Sequence, residues 1–187
     1  MKEDRFFDIG YLARGTARQQ EAYSVLEELE IFKVLKIYNP TLVGTIPISI
    51  DIEGSDLDLI CEVYDLDEFG AKVDENFEYF DAYHREKVEV EGVKAFIGSF
   101  YYKDFEVEIF GQPRAVDEQT AFRHMIAEKK LLDIGGEEAK KEIIKLKKAG
   151  YKTEPAFAEY FNIEGDPYER LYELSEYTEE ELKEIFS

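Results

Sequence analysis

The sequence predicts an α+β fold: a small mixed sheet flanked by helices, then an all-helical region. Every convincing strand pattern falls before Gly111-Gln112-Pro113, and the chain beyond carries only helical periodicity and helix caps. Strands followed by helices, rather than alternating with them, argue against a doubly wound parallel sheet. The length, 187 residues, suits one compact domain with an appendage. The expected division is residues 1–112 as the α/β domain and 113–187 as a helical region packed on it.

Thr16 and Gln19 stand at capping-box spacing, and Tyr23, Leu26 and Leu29 follow at helical spacing, giving a helix over 16–31. Asn39-Pro40 breaks the chain. The stretch TLVGTIPISIDIEGSDLDLICEV then reads as two strands joined through a loop in the interior of a sheet, the second running from Asp56 to Val63. A helix over 65–76 follows, with Asp65 and Glu68 at capping spacing. From Phe77 to Phe110 the period changes to two. Breaks at Glu91-Gly92 and Tyr102-Lys103-Asp104 predict a meander of three antiparallel strands. Helices are expected at about 115–133, 137–149, 154–163, 167–176 and 178–186. Thr153 is the expected cap of the third, Asp166 precedes Pro167 at the start of the fourth, and Thr178 and Glu181 form a capping box on the fifth.

Composition narrows the function. There are 23 basic and 43 acidic residues, a net charge of −20. Gripping long nucleic acid needs a basic surface, and so does docking on anionic membranes, so both are disfavoured. One nucleotide bound through a metal ion remains compatible. With 14 Phe and 13 Tyr there is ample core material, and disorder is not expected over most of the length. The single cysteine, Cys61, rules out an intrachain disulfide, fits a reducing cytoplasm, and reads as a core thiol. No apolar run approaches the roughly 18 residues of a membrane span, and the charged start MKEDR has no apolar h-region, so no signal peptide is expected.

The chemistry-bearing segment is Gly44-Thr45 and, ten positions after Thr45, Ser55-Asp56-Leu57-Asp58-Leu59. On a strand, residues two apart share a face, so Asp56 and Asp58 project together while Leu57, Leu59 and Cys61 enter the core. Their Cα atoms then lie roughly 6.5–7 Å apart, close enough for both carboxylates to reach one divalent cation or bracket two. Carboxylate, water and phosphate oxygens are the ligands Mg²⁺ prefers. A third acid is available on FEVEIFG, where Glu106 and Glu108 share the face opposite Phe105, Val107 and Ile109. Glu108 is the preferred member, being nearer the Gly111 turn, although spacing alone does not separate it from Glu106. Three acids around metal ions suit in-line phosphoryl or nucleotidyl transfer. Glycine lets the backbone approach phosphate, and the hydroxyl beside it can donate.

This pattern resembles the nucleotidyltransferase superfamily, the fold of DNA polymerase beta and the antibiotic nucleotidyltransferases. Val43-Gly44-Thr45, Asp56-Leu57-Asp58-Leu59 and Glu108 occupy the places of its motif, with Thr45 where serine is usual. More widely, GTIPISIDIEGSDLDLI, EIFGQP, KTEPAFA and GDPY resemble a small uncharacterised bacterial family of nucleotidyltransferase-like proteins. The resemblance implies Mg²⁺-dependent transfer of a nucleoside monophosphate from an NTP to a small-molecule or protein acceptor. Asp56, Asp58 and Glu108 would be the catalytic and metal-binding acids, and Gly44, Thr45 and Ser55 would hold the nucleotide. A catalytically silent binding protein on the same fold, and a metal-dependent phosphohydrolase, are the alternatives.

Each motif also has a plainer explanation. Among 43 acids some Asp-x-Asp pairs arise by chance, Glu106 and Glu108 can be the wet side of a meander, and Thr45 a turn residue. His84 reads as a surface residue. Arg123, His124, Lys129 and Lys130 fall outside the apolar stripe of Phe122, Met125, Ile126 and Leu132. They form either a basic set facing a cleft or a solvated face laced with ion pairs, and the second reading is preferred. No Walker loop, dinucleotide fingerprint or paired-histidine metal motif is present.

Overall fold

The computed structural model describes residues 3–90 and 92–186. It contains a five-stranded mixed sheet with flanking helices and a C-terminal helical region. By contacts the chain separates into two compact units: one comprises 1–49 and 54–119, the other 50–53 and 120–187.

In the first unit, α1 (Ala17–Glu28) is opened by the expected capping box. Thr16 accepts from the Gln19 amide, and the Gln19 side chain accepts from the Thr16 amide. A single turn, α2 (Ile31–Val34), follows. The strands are β1 (Thr41–Val43), β2 (Leu57–Glu62), β3 (Asp81–Val90), β4 (Val93–Tyr102) and β5 (Phe105–Gln112), in the order β1-β2-β5-β4-β3. Helix α3 (Leu66–Phe77) starts at Asp65, whose carboxylate accepts from the Asp67 and Glu68 amides. The β3–β4–β5 meander is antiparallel, β2 and β5 are parallel, and β1 runs antiparallel to β2. Of the expected Glu91-Gly92 break, Glu91 lies outside the described residues, as do Met1 and Lys2 of the charged start; Gly92 has φ +77°. One expectation is corrected: β1 is an edge strand, so only β2 of the first strand pair lies in the sheet's interior.

Strand alternation does the sorting. Leu57, Leu59 and Cys61 of β2, Phe105, Val107 and Ile109 of β5, and Phe96 and Phe100 of β4 enter one core. There they meet Val25 and Leu26 of α1 and Phe69, Val73 and Phe77 of α3. The Phe77 and Phe100 rings stack at 5.3 Å. Such a pair contributes about 0.5–1.5 kcal/mol beyond its burial. Cys61 is a buried free thiol whose proton affinity burial pushes up. His84 is exposed on β3. The acids fall on the other face of the sheet because the period is two.

In the second unit, α4 (Thr120–Lys148) is broken at Gly136, which has φ +63°, so the two helices expected there meet at a kink. Helices α5 (Thr153–Phe161), α6 (Pro167–Leu174) and α7 (Glu179–Phe186) pack against it. Asp166 caps α6 with Pro167 in its first turn, and Thr178 and Glu181 close a capping box before α7. The expected Thr153 cap is corrected: Lys152 precedes α5 without a side-chain cap, and Thr153 is the first helical residue.

The basic set on α4 is also corrected. His124 and Lys130 are buried, not solvated. The His124 ring lies 3.2 Å from a Glu154 carboxylate oxygen and 2.9 Å from the Tyr168 carbonyl. Lys130 donates to the carbonyls of Ser175 (2.7 Å) and Tyr177 (3.1 Å). Lys129, paired with Asp133, behaves as a helix-face ion pair. Among the described residues, no helix is long and apolar enough to cross a membrane.

Candidate active site

The site is assembled from strand register. Asp58 sits opposite Val43 on β1 and beside Glu108 on β5, and Glu108 in turn faces Ser99 on β4. Neighbours in register share a face of the sheet, so Asp58 and Glu108 stand side by side on the face turned away from the core. Asp56 lies just ahead of β2 and is exposed; Asp58 and Glu108 are half-buried.

The acids lie close enough to act on one another's charge. Burial pushes the Asp58 carboxyl up, and the charges of Asp56, Glu108 and Glu106 add to it, bringing it to about 7. Glu108 is raised for the same reasons, by burial and then by Asp56 and Glu106. Among the described residues, no lysine, arginine or histidine forms an ion pair with Asp56, Asp58, Glu106 or Glu108. Also among the described residues, no group of three or more His, Cys, Asp and Glu side chains is gathered tightly enough to hold a metal ion. Like charges this close disfavour one another's ionisation. The donors themselves, carboxylate oxygens without a competing cation, are of the type that hard divalent ions select.

Gly44 is required twice over. Its φ is +81°, a conformation that costs other residues strain, and a Cβ there would lie 2.6 Å from Asp58 Oδ2. The backbone of the Gly-Thr turn therefore rests directly against the Asp58 carboxylate. Thr45 and Ser55, the two ends of the intervening loop, meet through their hydroxyls at 3.4 Å. Gly44, Thr45, Ser55, Asp56, Asp58 and Glu108 thus all lie in or beside the β1–β2 connection and the adjoining β5 strand.

The two glutamates on β5 differ in their partners. Glu106 is exposed and accepts a hydrogen bond of 2.9 Å from the Tyr101 hydroxyl, whereas Glu108 sits at the Asp58 register. Sequence reasoning missed Tyr101. The signal was available, because an antiparallel meander with its turn at Lys103-Asp104 places Tyr101 opposite Glu106. The hydrogen bond to Glu106 raises the Tyr101 phenol, and the charges of Glu106 and Asp56 add to the effect.

Residues 24–174 match the family described as a domain of unknown function (DUF4269). The chain belongs to that family. No curated protein matches it in sequence. Among solved structures it is similar to a chain of the GLD-2/RNP-8 complex, with 14% identity, TM-score 0.55, and coverage of 98% of this chain and 82% of that one. It is also similar to Cid1, described as having RNA terminal uridylyl transferase activity, with 12% identity and TM-score 0.54 over 83% of this chain and 48% of that one. The Cid1 poly(U) polymerase bound to MgGTP gives 12% identity and TM-score 0.53, covering 81% and 47%. The chain spans about half the length of the Cid1 structures it resembles. At these identities the likeness is one of fold, and the fold is that of the nucleotidyltransferases.

Proposed function

We propose that this chain is a Mg²⁺-dependent nucleotidyltransferase that moves a nucleoside monophosphate from an NTP to a small-molecule or protein acceptor. The observation that carries the reading is the Asp58–Glu108 register, with the Gly44 backbone against Asp58 and no cation paired to either acid among the described residues. Asp56, Asp58 and Glu108 would hold the metal, which when bound neutralises the triphosphate and acidifies the attacking hydroxyl. Gly44 supplies close backbone approach, and Thr45 and Ser55 supply hydroxyls, for the outer phosphates.

In the transfer an acceptor oxygen bonds to the α-phosphorus as the bond from that phosphorus to the β-phosphate bridge breaks, and pyrophosphate leaves. The acceptor's proton passes to Glu108, the acid that stands beside Asp58 in register. Glu106, held by Tyr101, is less free to do so. A small-molecule or protein acceptor fits a chain of net charge −20 better than a polyanion does, because repulsion slows the approach of like charge.

Equilibrium binding of the four NTPs, with and without Mg²⁺, tests the reading. A ligand at 100 times its Kd stabilises the fold by about 2.7 kcal/mol. For a chain of this size that is a rise in Tm of roughly 5–10 °C. Asp56→Asn should remove this increment, and an unchanged increment would take Asp56 out of the site. Incubating labelled NTP with cell extract then identifies the acceptor. Label in a ribonuclease-sensitive product would replace the proposed acceptor with RNA. Neither binding nor transfer with any NTP would make this a silent protein on a nucleotidyltransferase fold.

A further inference from the structure

The loop joining β1 to β2 is unusual for a connection, because much of it is inside the protein. Ile46, Ile48 and Ile50 are 1%, 5% and 0% exposed. Buried carbonyls without a strand partner must find donors elsewhere. Three of them are served by side chains distant in sequence. Gln19 Nε2 donates to the carbonyls of Ile46 (2.8 Å) and Pro47 (3.2 Å), and Lys147 Nζ donates to the carbonyl of Ile50 (2.9 Å). Both side chains are themselves buried, at 5% and 7% exposure. Gln19 is also fixed from its other end, since its Oε1 accepts from the Thr16 amide in the α1 capping box. One amide group therefore caps a helix and holds the loop at the same time.

We propose that Gln19 is a positioning residue for nucleotide binding, acting through the loop it holds. This rests on the nucleotidyltransferase reading above. Ile46-Pro47 directly follow Gly44-Thr45, so the bonds from Gln19 to their carbonyls set where that turn stands. Ser49 at φ +60° gives the path beyond them a defined bend. A misplacement of about 1 Å by a residue far from the chemistry can cost on the order of a hundredfold. An anchor that never touches the nucleotide can thus govern how it is held.

Gln19→Glu separates the two duties of Gln19. A glutamate keeps the capping box but turns a carboxylate oxygen toward two carbonyl oxygens. Gln19→Met loses both functions. Two measurements on the full chain decide: Kd for each Mg-NTP, and amide hydrogen exchange of residues 44–49 without ligand. Gln19→Glu should raise Kd about tenfold to a hundredfold and speed exchange in that segment, while α1 stays protected. Unmodified affinity and exchange in Gln19→Glu, with loss only in Gln19→Met, would reduce Gln19 to a helix cap and overturn the proposal. Faster exchange with unchanged Kd would overturn it too, since the loop would then be held for stability alone. If the unmodified chain binds no NTP, the functional reading fails, and whether Gln19 holds the loop is decided by the exchange data alone.

Discussion

Two sets of ionisable groups in this molecule are treated in opposite ways. In the helical unit, His124 is bound by Glu154 and the Tyr168 carbonyl, and Lys130 by the carbonyls of Ser175 and Tyr177. Burial pushes the Glu154 carboxyl up, but hydrogen bonds from His124 and the backbone outweigh it and leave it below its ordinary range. On the sheet, the charges that act on Asp58 and Glu108 among the described residues are those of other acids, and both are raised. A buried charge must be compensated or it costs stability. The helical set is compensated from within the chain and explains itself as structure. Asp58 and Glu108 are half-buried with no such compensation among the described residues, and under the proposed function a bound cation would supply it. The comparison teaches which perturbed groups to suspect of function: those whose imbalance the chain leaves open.

The largest effect expected from this contrast is on transfer. Glu108→Gln keeps shape and removes charge, so nucleotide affinity should stay within a few-fold while transfer slows by roughly 10²–10⁴. Glu106→Gln should leave transfer near its unmodified rate, because Tyr101 already occupies that carboxylate. Pyrophosphate release followed in both variants makes the distinction. Equal loss in the two would show that the register with Asp58 does not select the working acid.

Much of this was legible in the sequence, for identifiable reasons. Capping boxes and strand alternation are local, so Thr16/Gln19, Thr178/Glu181 and the meander follow from spacing alone. The face shared by Glu106 and Glu108 follows from period two. The Thr153 cap is a local misreading, off by one residue, and the others involve contacts distant along the chain. A helical wheel shows that His124 and Lys130 lie off the apolar stripe, but not that Glu154, Tyr168, Ser175 and Tyr177 fold over them. Gln19 reads fully as a capping residue, and nothing in its neighbourhood announces its bonds to Ile46 and Pro47, 27 and 28 residues away. The edge position of β1 is likewise a matter of topology.

The second effect sharpens the comparison from the structural side. His124→Ala removes the partner of a carboxylate that stays largely buried, at roughly 2–4 kcal/mol. Lys130→Met strips the donor from two carbonyls and should cost less, about 1–3 kcal/mol. Denaturant unfolding measures both. Each variant should keep the full Mg-NTP increment in Tm, since the helical charges are spent on the fold. A His124→Ala protein of unmodified stability that no longer responds to Mg-NTP would move His124 into the nucleotide site and break the contrast.

The last effect concerns Glu128, a member of the helical set that resembles the sheet acids. It is 3% exposed on α4, and burial pushes its carboxyl well above the usual range; the Glu154 charge adds to this, and the Lys147 ammonium opposes it. The sign of the linkage follows. Above the unfolded value of about 4.3 the unfolded chain has released this proton while the folded chain keeps it. Stability therefore falls as pH rises, until the folded carboxyl ionises as well. Glutamine imitates the neutral acid and has no proton to lose. Glu128→Gln should consequently gain on the unmodified protein between pH about 5 and pH about 8. The gain is about 1.4 kcal/mol for each pH unit over which only the folded state holds the proton. Urea midpoints of the two proteins at both pH values give the difference directly, with the other titrating groups cancelling. A gap that does not change with pH would mean that Glu128 is not held neutral. A gap that turns in favour of the unmodified protein at the higher pH would mean that Glu128 and Lys147 form a working ion pair, and would place Glu128 with the compensated groups after all.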